Sequence, residues 1–310
     1  MAGHLPVMLR EVLGLLEPKA GGHYLDATFG GGGHSKAILD SAPDVHLTAL
    51  DRDPEAEARA GDLMSSYGKR FAFHRLEFSQ LDRLTDHEYA GVLFDLGVSS
   101  FQLDTAERGF SFGKAAAADM RMDTSGGMTA AEFLERAPER DLVQAIRDFG
   151  EETAWRRVVR ALMGARGTGK LQQTDRLAEL IAESIPQRPG KPVRIHPATR
   201  SFQGIRMAVN DELGVIERAL PRAFEHLAPG GVLAVISFHS LEDRLVKRTF
   251  KQLAGQPEHA ADHRPQDERL KQAEILTRRP LVAGENEVNE NPRSRSAKLR
   301  AVRKLKPELA

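Results

Sequence analysis

The 310-residue chain contains no cysteine. Disulfides, thiolate metal sites and cysteine nucleophiles are therefore excluded, and the composition suits a reducing, cytoplasmic compartment. Net charge is also missing. The 44 lysines and arginines balance 44 acidic residues, so no whole-molecule field points to a polyanionic partner. Long apolar runs are absent as well: the opening stretch MAGHLPVMLREVLGLLE is broken by Arg10 and Glu11. It is too short and too charged for a signal peptide or membrane span and reads as an amphipathic surface helix, so no membrane partner is expected. Neither an internal repeat nor a low-complexity segment occurs, although residues 252–269 are polar enough for a loop. No G-x-S-x-G elbow supports a serine hydrolase, and no cluster of ligand-type residues demands a metal.

What is present, 41% hydrophobic and 28% charged residues, is enough to bury the core of one large domain or of one domain with an insertion. Short apolar segments at 23–27, 46–50, 71–74 and 91–94 alternate with loops and with helical patterns such as 54–66. That order predicts a parallel sheet covered on both faces. From about 104 to 203 the rhythm changes: 130–136, 140–162 and 174–185 have helical periodicity, and no convincing strand appears. A long amphipathic stretch at 204–227, Pro229-Gly230-Gly231 as a stop and an apolar strand at 232–238 resume the α/β pattern. The expected organisation is an α/β sheet in two parts, 1–103 and 204–310, interrupted by an all-helical insertion at 104–203.

The first strand ends in D-A-T-F-G-G-G-G-H-S, with Asp26 at its tip and Gly30 to Gly33 leading into a helix. Glycines at such a junction let backbone approach a ligand closely, although a tight turn alone would also use them. The second strand ends at Asp51, where a carboxylate can accept both hydroxyl hydrogens of an adenosine ribose. Either a dinucleotide or an adenosyl ligand would be served. Asp26 discriminates, because a carboxylate beside the loop repels a pyrophosphate and suits the ammonium and sulfonium of S-adenosylmethionine. An N-cap for the next helix is the competing role for Asp26. The pattern therefore favours a class I, Rossmann-like S-adenosylmethionine-dependent methyltransferase over an NAD-dependent oxidoreductase.

Asp95 closes the fourth strand in G-V-L-F-D-L-G-V-S-S, at the end of the sheet where open α/β folds bind their ligands. It is the first candidate for chemistry, either as an acceptor for the hydrogens of a nucleophilic amine or as a cofactor contact. Methylation at pyrimidine C5 generally needs a thiolate, so its absence leaves a nitrogen or a ribose oxygen as acceptor. Beyond Phe238, Ser237, His239, Ser240 and Asp243 reach the same rim, and His239 is a secondary candidate for stacking or proton transfer. Phe101, Phe110 and Phe112 suit either a flipped base or a core.

Two basic stretches stand out. Residues 293–306 hold seven lysines or arginines and 185–206 hold five basic residues, with no acid in either. They make Arg194, Arg200, Arg206, Arg293, Arg295, Lys298 and Arg300 candidate phosphate contacts, against the plainer reading of a solvated surface strand or tail.

Ten blocks from end to end, among them H-L-P-V-M-L-R-E-V-L, D-A-T-F-G-G-G-G-H-S, L-D-R-D-P, D-L-G-V-S-S, D-M-R-M-D, H-P-A-T-R-S-F-Q-G-I-R-M-A-V-N-D-E-L and N-P-R-S-R-S-A-K-L-R, resemble in order and spacing the bacterial small-subunit rRNA cytosine-N4 methyltransferase family, RsmH or MraW. The resemblance implies methyl transfer from S-adenosylmethionine to the N4 amine of cytosine 1402 in 16S rRNA, with the small ribosomal subunit as partner and S-adenosylhomocysteine as product. It places cofactor contacts on Gly32, Gly33, His34, Asp51, Phe78, Asp95 and Gln102, of which Phe78 otherwise reads as core and Gln102 as surface. The chain departs from the family's pattern at Phe101, where proline is usual, and at Ala115 to Ala118, where D-G-P-L is usual. Another RNA base or ribose methyltransferase and a non-catalytic ribosome-assembly factor are the alternatives, and a homodimer is left open.

Overall fold

The computed structural model describes residues 6–84, 88–186, 196–257, 262–263, 265 and 268–306. The chain divides into two compact units, one of residues 1–97 with 213–310 and the other of residues 98–212.

The first unit holds the sheet. In chain order it comprises α1 (Leu9–Leu16), β1 (His23–Asp26), α2 (Gly33–Asp40), β2 (His46–Asp51), α3 (Pro54–Tyr67), β3 (Phe71–Arg75) and β4 (Tyr89–Asp95). Of the second unit's elements, α4 (Ser100–Asp104), α5 (Ala130–Arg136), α6 (Glu139–Val143), α7 (Trp155–Gly164), α8 (Thr174–Ser184) and α9 (Thr199–Val209) follow. The chain then returns through α10 (Glu212–Glu225), β5 (Leu227–Ser237), α11 (Ser240–Leu253), β6 (Ala273–Ile275), β7 (Leu281–Val282), α12 (Glu285–Glu290) and β8 (Lys298–Lys304).

The strands run β3-β2-β1-β4-β5-β8-β6, with β7 also paired to β8. β1 to β5 are parallel, and β8 is antiparallel to β5. The strand order reverses between β1 and β4, which is where such a sheet opens a crevice at its carboxyl ends. One face buries Tyr24, Leu47, Ala49 and Leu93 under α1, α2 and α3. The other buries Leu25, Val92, Phe94 and Leu233 under α10 and α11. Local signals fix the helix ends: Asp53 accepts the Glu55 N–H with Pro54 in the first turn of α3, and Thr129 and Glu132 form a reciprocal cap on α5.

Several expectations are corrected here. The basic segment 293–306 is not a solvated tail: β8 lies inside the sheet, with Leu299, Arg300, Ala301 and Val302 buried. The 140–162 pattern is not one helix. α6 passes into a π-helical turn, Gln144–Phe149, and the chain leaves helix at Glu151 (φ 49) before α7 begins. The 204–227 stretch breaks at Asp211 (φ 47), separating α9 from α10, and Pro221 sits inside α10 without ending it. Pro229-Gly230-Gly231 lies within β5, at a register shift against β4, and is no stop. The polar stretch 252–269 begins in the last turn of α11, and its residues 258–261, 264 and 266–267 lie outside the described residues.

Candidate functional site

The loop after β1 is strapped to two strands, β4 and β2. Ala27 N–H donates to the Leu93 carbonyl (2.9 Å), Phe29 N–H to Leu50 (2.8 Å), and Gly30 N–H to Asp51 Oδ2 (2.8 Å). Arg59 from α3 donates to the Gly30 carbonyl at 2.9 Å. Gly32 has φ +75, and a Cβ there would meet the Phe29 ring at 2.7 Å. The turn itself therefore requires glycine at this position, independently of any ligand.

Asp26 is only 1% exposed. Its oxygens accept the Ser35 hydroxyl (2.6 Å) and the Thr28 N–H (3.1 Å), so it ties the strand tip to the start of α2. Burial raises its pKa, against His34, Ser35 and Thr28, which favour the charged form. Asp26→Ala would leave a buried hydroxyl and N–H without their acceptor, a loss of about 1–3 kcal/mol. The expected result is S-adenosylhomocysteine affinity reduced about tenfold or more, read by calorimetric titration. Unchanged affinity would remove Asp26 from the site.

Asp51 is half-buried, and its two oxygens accept one backbone N–H each, from Gly30 and from Asp53 (2.9 Å). Burial raises its pKa, and those two N–H groups oppose the rise. Each oxygen keeps a second lone pair, which is what a ribose diol would use.

Asp95 closes β4 beside β1. Its N–H donates to Thr28 Oγ1 at 2.6 Å, and Oδ2 lies 3.6 Å from His34 Nδ1. Oδ1 is buried without a hydrogen-bond partner among the described residues. Burial lifts the carboxyl from 3.8 to about 6; His34 opposes, while Asp26 and Glu242 add to the rise. His34 bonds through Nε2 to the Val7 carbonyl (2.9 Å), and because a carbonyl only accepts, Nε2 carries the hydrogen and Nδ1 faces Asp95. The first motif of the chain thus orients a histidine of the glycine loop. Phe78 packs edge-to-face on Phe94 at 5.3 Å, next to Asp95 in sequence.

Other candidates are occupied within the chain. His239 caps α11, with Nδ1 accepting the Glu242 N–H (3.4 Å) and Nε2 3.1 Å from Glu242 Oε1. Ser237 is buried. Asp243 takes Arg300 (2.7 Å) and Lys298 (3.4 Å); burial pushes its carboxyl up, but the two cations together hold it below its ordinary value. Arg300 and Lys298 are therefore committed internally, and Arg206 is clamped by Glu212 at 2.8 and 2.9 Å. Lys298 nevertheless keeps 38% of its side chain exposed. Arg200 and Arg295 are exposed, Arg293 is half-buried, and Arg194 lies outside the described residues.

In the second unit, buried Gln102 caps α4 reciprocally with Ser99. Phe110 is core, Phe112 packs on Phe202 (4.9 Å), and Phe101 is 36% exposed. A cationic face that the sequence reading missed lies on α7. Val158, Val159 and Leu162 are buried, while Arg156, Arg157 and Arg160 are exposed with no acid on the helix. The guanidinium groups of Arg156 and Arg147 lie over the Trp155 ring, 4.4 and 5.4 Å from its centre. The helical period of W-R-R-V-V-R was the available signal.

Among the described residues no helix is long and apolar enough to cross a membrane. A model of the MraW methylase family matches residues 1–305. The ribosomal RNA small subunit methyltransferase H of Gluconobacter oxydans is 46% identical, covering 97% of this chain and 93% of its own length. The enzyme of the same name from Heliobacterium modesticaldum is 43% identical, covering 98% of this chain and 99% of its own. Among solved structures, an rRNA methylase from Streptococcus thermophilus aligns over 99% of both chains with a TM-score of 0.43 at 11% identity.

Proposed function

The chain belongs to the MraW methylase family and is an S-adenosylmethionine-dependent methyltransferase, and from that premise we propose that its acceptor is the N4 amine of cytosine 1402 in 16S rRNA, presented by the small ribosomal subunit in the cytoplasm. The relatives' names support the rRNA part of this reading. One observation carries the chemistry: at the strand-order reversal, Asp95 offers a buried carboxylate oxygen that nothing among the described residues satisfies. A buried acceptor without a partner is costly and implies a donor that arrives with a ligand.

The residues fit the cofactor. Gly32, Gly33 and His34 would hold its amino-acid end, Asp51 its ribose hydroxyls, and Phe78 with Asp95 the rest. When bound, S-adenosylmethionine supplies an electrophilic methyl group. The chain's own part is to position the base and to accept a hydrogen of the N4 amine at Asp95, which moves the nitrogen lone pair out of conjugation with the ring. His34, fixed by Val7, lies 3.6 Å from Asp95, and when its imidazole is protonated it favours the ionised carboxylate. A cytosine paired to guanine offers no path to that nitrogen, so an unpaired or flipped base is required.

RNA phosphates are assigned to α7 and to Arg200 and Arg295. The test is to incubate the protein with labelled methyl donor and small ribosomal subunits and to map the modified nucleoside by mass spectrometry. Label is expected on N4 of one cytosine. In binding titrations at several salt concentrations, Arg156→Glu/Arg157→Glu/Arg160→Glu is expected to reduce the salt slope of RNA binding by about three while leaving donor affinity unchanged. Label on adenine or on a sugar would retire the N4 assignment.

A further inference from the structure

Strands β1, β2 and β3 carry two unlike faces. Side chains alternate with period two, and the registers His23↔His46, Leu25↔Thr48, Thr48↔Ala72 and Leu50↔His74 set His23, His46, Thr48 and His74 on one side. Tyr24, Leu47, Phe71 and Phe73 lie on the other, packed in the core. Parallel strands are normally covered on both faces. On the histidine side, however, α10 and α11 supply the cover of the core around β4 and β5, and among the described residues the β3–β4 connection contributes only a short 3₁₀ turn, Phe78–Arg83. What remains is an open cavity of about 420 Å³.

Its chemistry is one-sided. Lys69, Arg70 and Arg83 line it together with the three imidazoles, and no carboxylate does so among the described residues. Arg70 is held in place by the Leu39 and Val45 carbonyls (3.3 and 3.5 Å) and lies over the Tyr67 ring. The floor is firm: Thr48 and Tyr89 are buried, His23 Nε2 is 2.9 Å from Thr48 Oγ1, and its ring meets Tyr89 edge-on at 5.0 Å. A concavity lined by clustered cations and, among the described residues, by no carboxylate concentrates anions, and its volume falls in the range of small-ligand sites. His23 opens the strand that Asp26 closes, about 10 Å of strand away, whereas His74 stands level with Leu50, next to Asp51.

We propose that this cavity is a second ligand site that takes a phosphate-bearing nucleotide, with the phosphate on Lys69, Arg70 and Arg83 and the base against the imidazole faces. The nucleotide is either free or part of an RNA strand, and the inference does not rest on the reaction proposed above. The test titrates the intact protein with cytidine monophosphate and, separately, with a short single-stranded oligoribonucleotide. It then repeats both with Lys69→Glu/Arg83→Glu, two exposed positions. At least one ligand is expected to bind the wild type, and the variant to bind it about tenfold or more weakly with S-adenosylhomocysteine affinity unchanged. Binding of the monophosphate identifies a free nucleotide as sufficient, and binding of the oligoribonucleotide alone identifies the strand. In the wild type the ring resonances of His46 and His74 should shift on adding the bound ligand. Absence of binding by either ligand, equal binding by the variant, or unmoved histidine resonances would overturn the proposal.

Discussion

Replacing Asp95 with alanine is expected to slow methyl transfer about 100- to 1,000-fold, the range typical for loss of one aligned polar group from an active centre. Asp95→Asn should retain part of the rate, because an amide oxygen still accepts a hydrogen bond. The two variants separate further with pH. The Asp95 carboxyl titrates near 6, and only its ionised form is an acceptor at both oxygens, so the wild-type rate should climb as pH rises through about 6 and level off above it. The asparagine variant should lose that limb. Single-turnover rates between pH 5 and 8 would decide the matter, and a wild-type profile unaltered by Asp95→Asn would remove Asp95 from the chemistry.

The same carboxyl makes a prediction about stability with a definite sign. Its folded pKa, about 6, lies above the ordinary 3.8. Below about pH 4 the group is neutral whether the chain is folded or not and costs nothing. As pH rises from about 4 to 6 the unfolded chain ionises first, so stability falls, and above 6 the penalty is constant. At about 1.4 kcal/mol per pH unit the penalty approaches 3 kcal/mol, an upper figure for a side chain that is a quarter exposed. Asp95→Asn should therefore raise the thermal midpoint at pH 7 and lose that advantage near pH 4. A residue that destabilises the fold while serving the reaction is the usual trade at an active centre.

Gly204→Ala is expected to destabilise the second unit by about 3 kcal/mol or more, at or above the top of the usual range for overpacking. A Cβ at Gly204 would lie 2.0 Å from the Ala145 carbonyl oxygen and 2.7 Å from the Gly150 nitrogen. Both are backbone atoms, and they bond to each other at 2.9 Å in the π-helical turn. No rotamer change can relieve the contact; either α9 moves away or the turn breaks. Gly150 takes part in the same close approach, its own Cβ position lying 2.6 Å from the Arg200 carbonyl oxygen. Gly14, within α1, has nothing within 4 Å of an added Cβ, and Gly14→Ala should instead stabilise by about 0.5–1 kcal/mol. Thermal denaturation of the two variants side by side tests the pair. A Gly204→Ala midpoint matching the wild type would show that the crossing can relax.

Much of the site was legible because it is local. A strand that ends in an acid, a glycine run before a helix and a second acid closing the next strand are signals confined to a few neighbouring residues, and Asp26, Asp51 and Asp95 all close their strands. The basic segment 293–306 misled for the opposite reason. Its charges alternate with Leu299, Ala301 and Val302, and whether Arg300 meets solvent or Asp243 depends on a partner 57 residues away. The π turn was equally hidden, since its irregularity is seen only where Gly204 presses on it.

By itself the sequence determined which residue types close each strand, where helices begin, and, through the absence of cysteine, which reactions are barred, because each follows from composition or from neighbours within one turn or strand. The tertiary structure alone decided that Asp26 is sealed against Ser35, that Val7 orients His34 toward Asp95, and that three histidines far apart in sequence share one cavity. Strand register and helix crossing set those contacts, and both are properties of the folded chain as a whole.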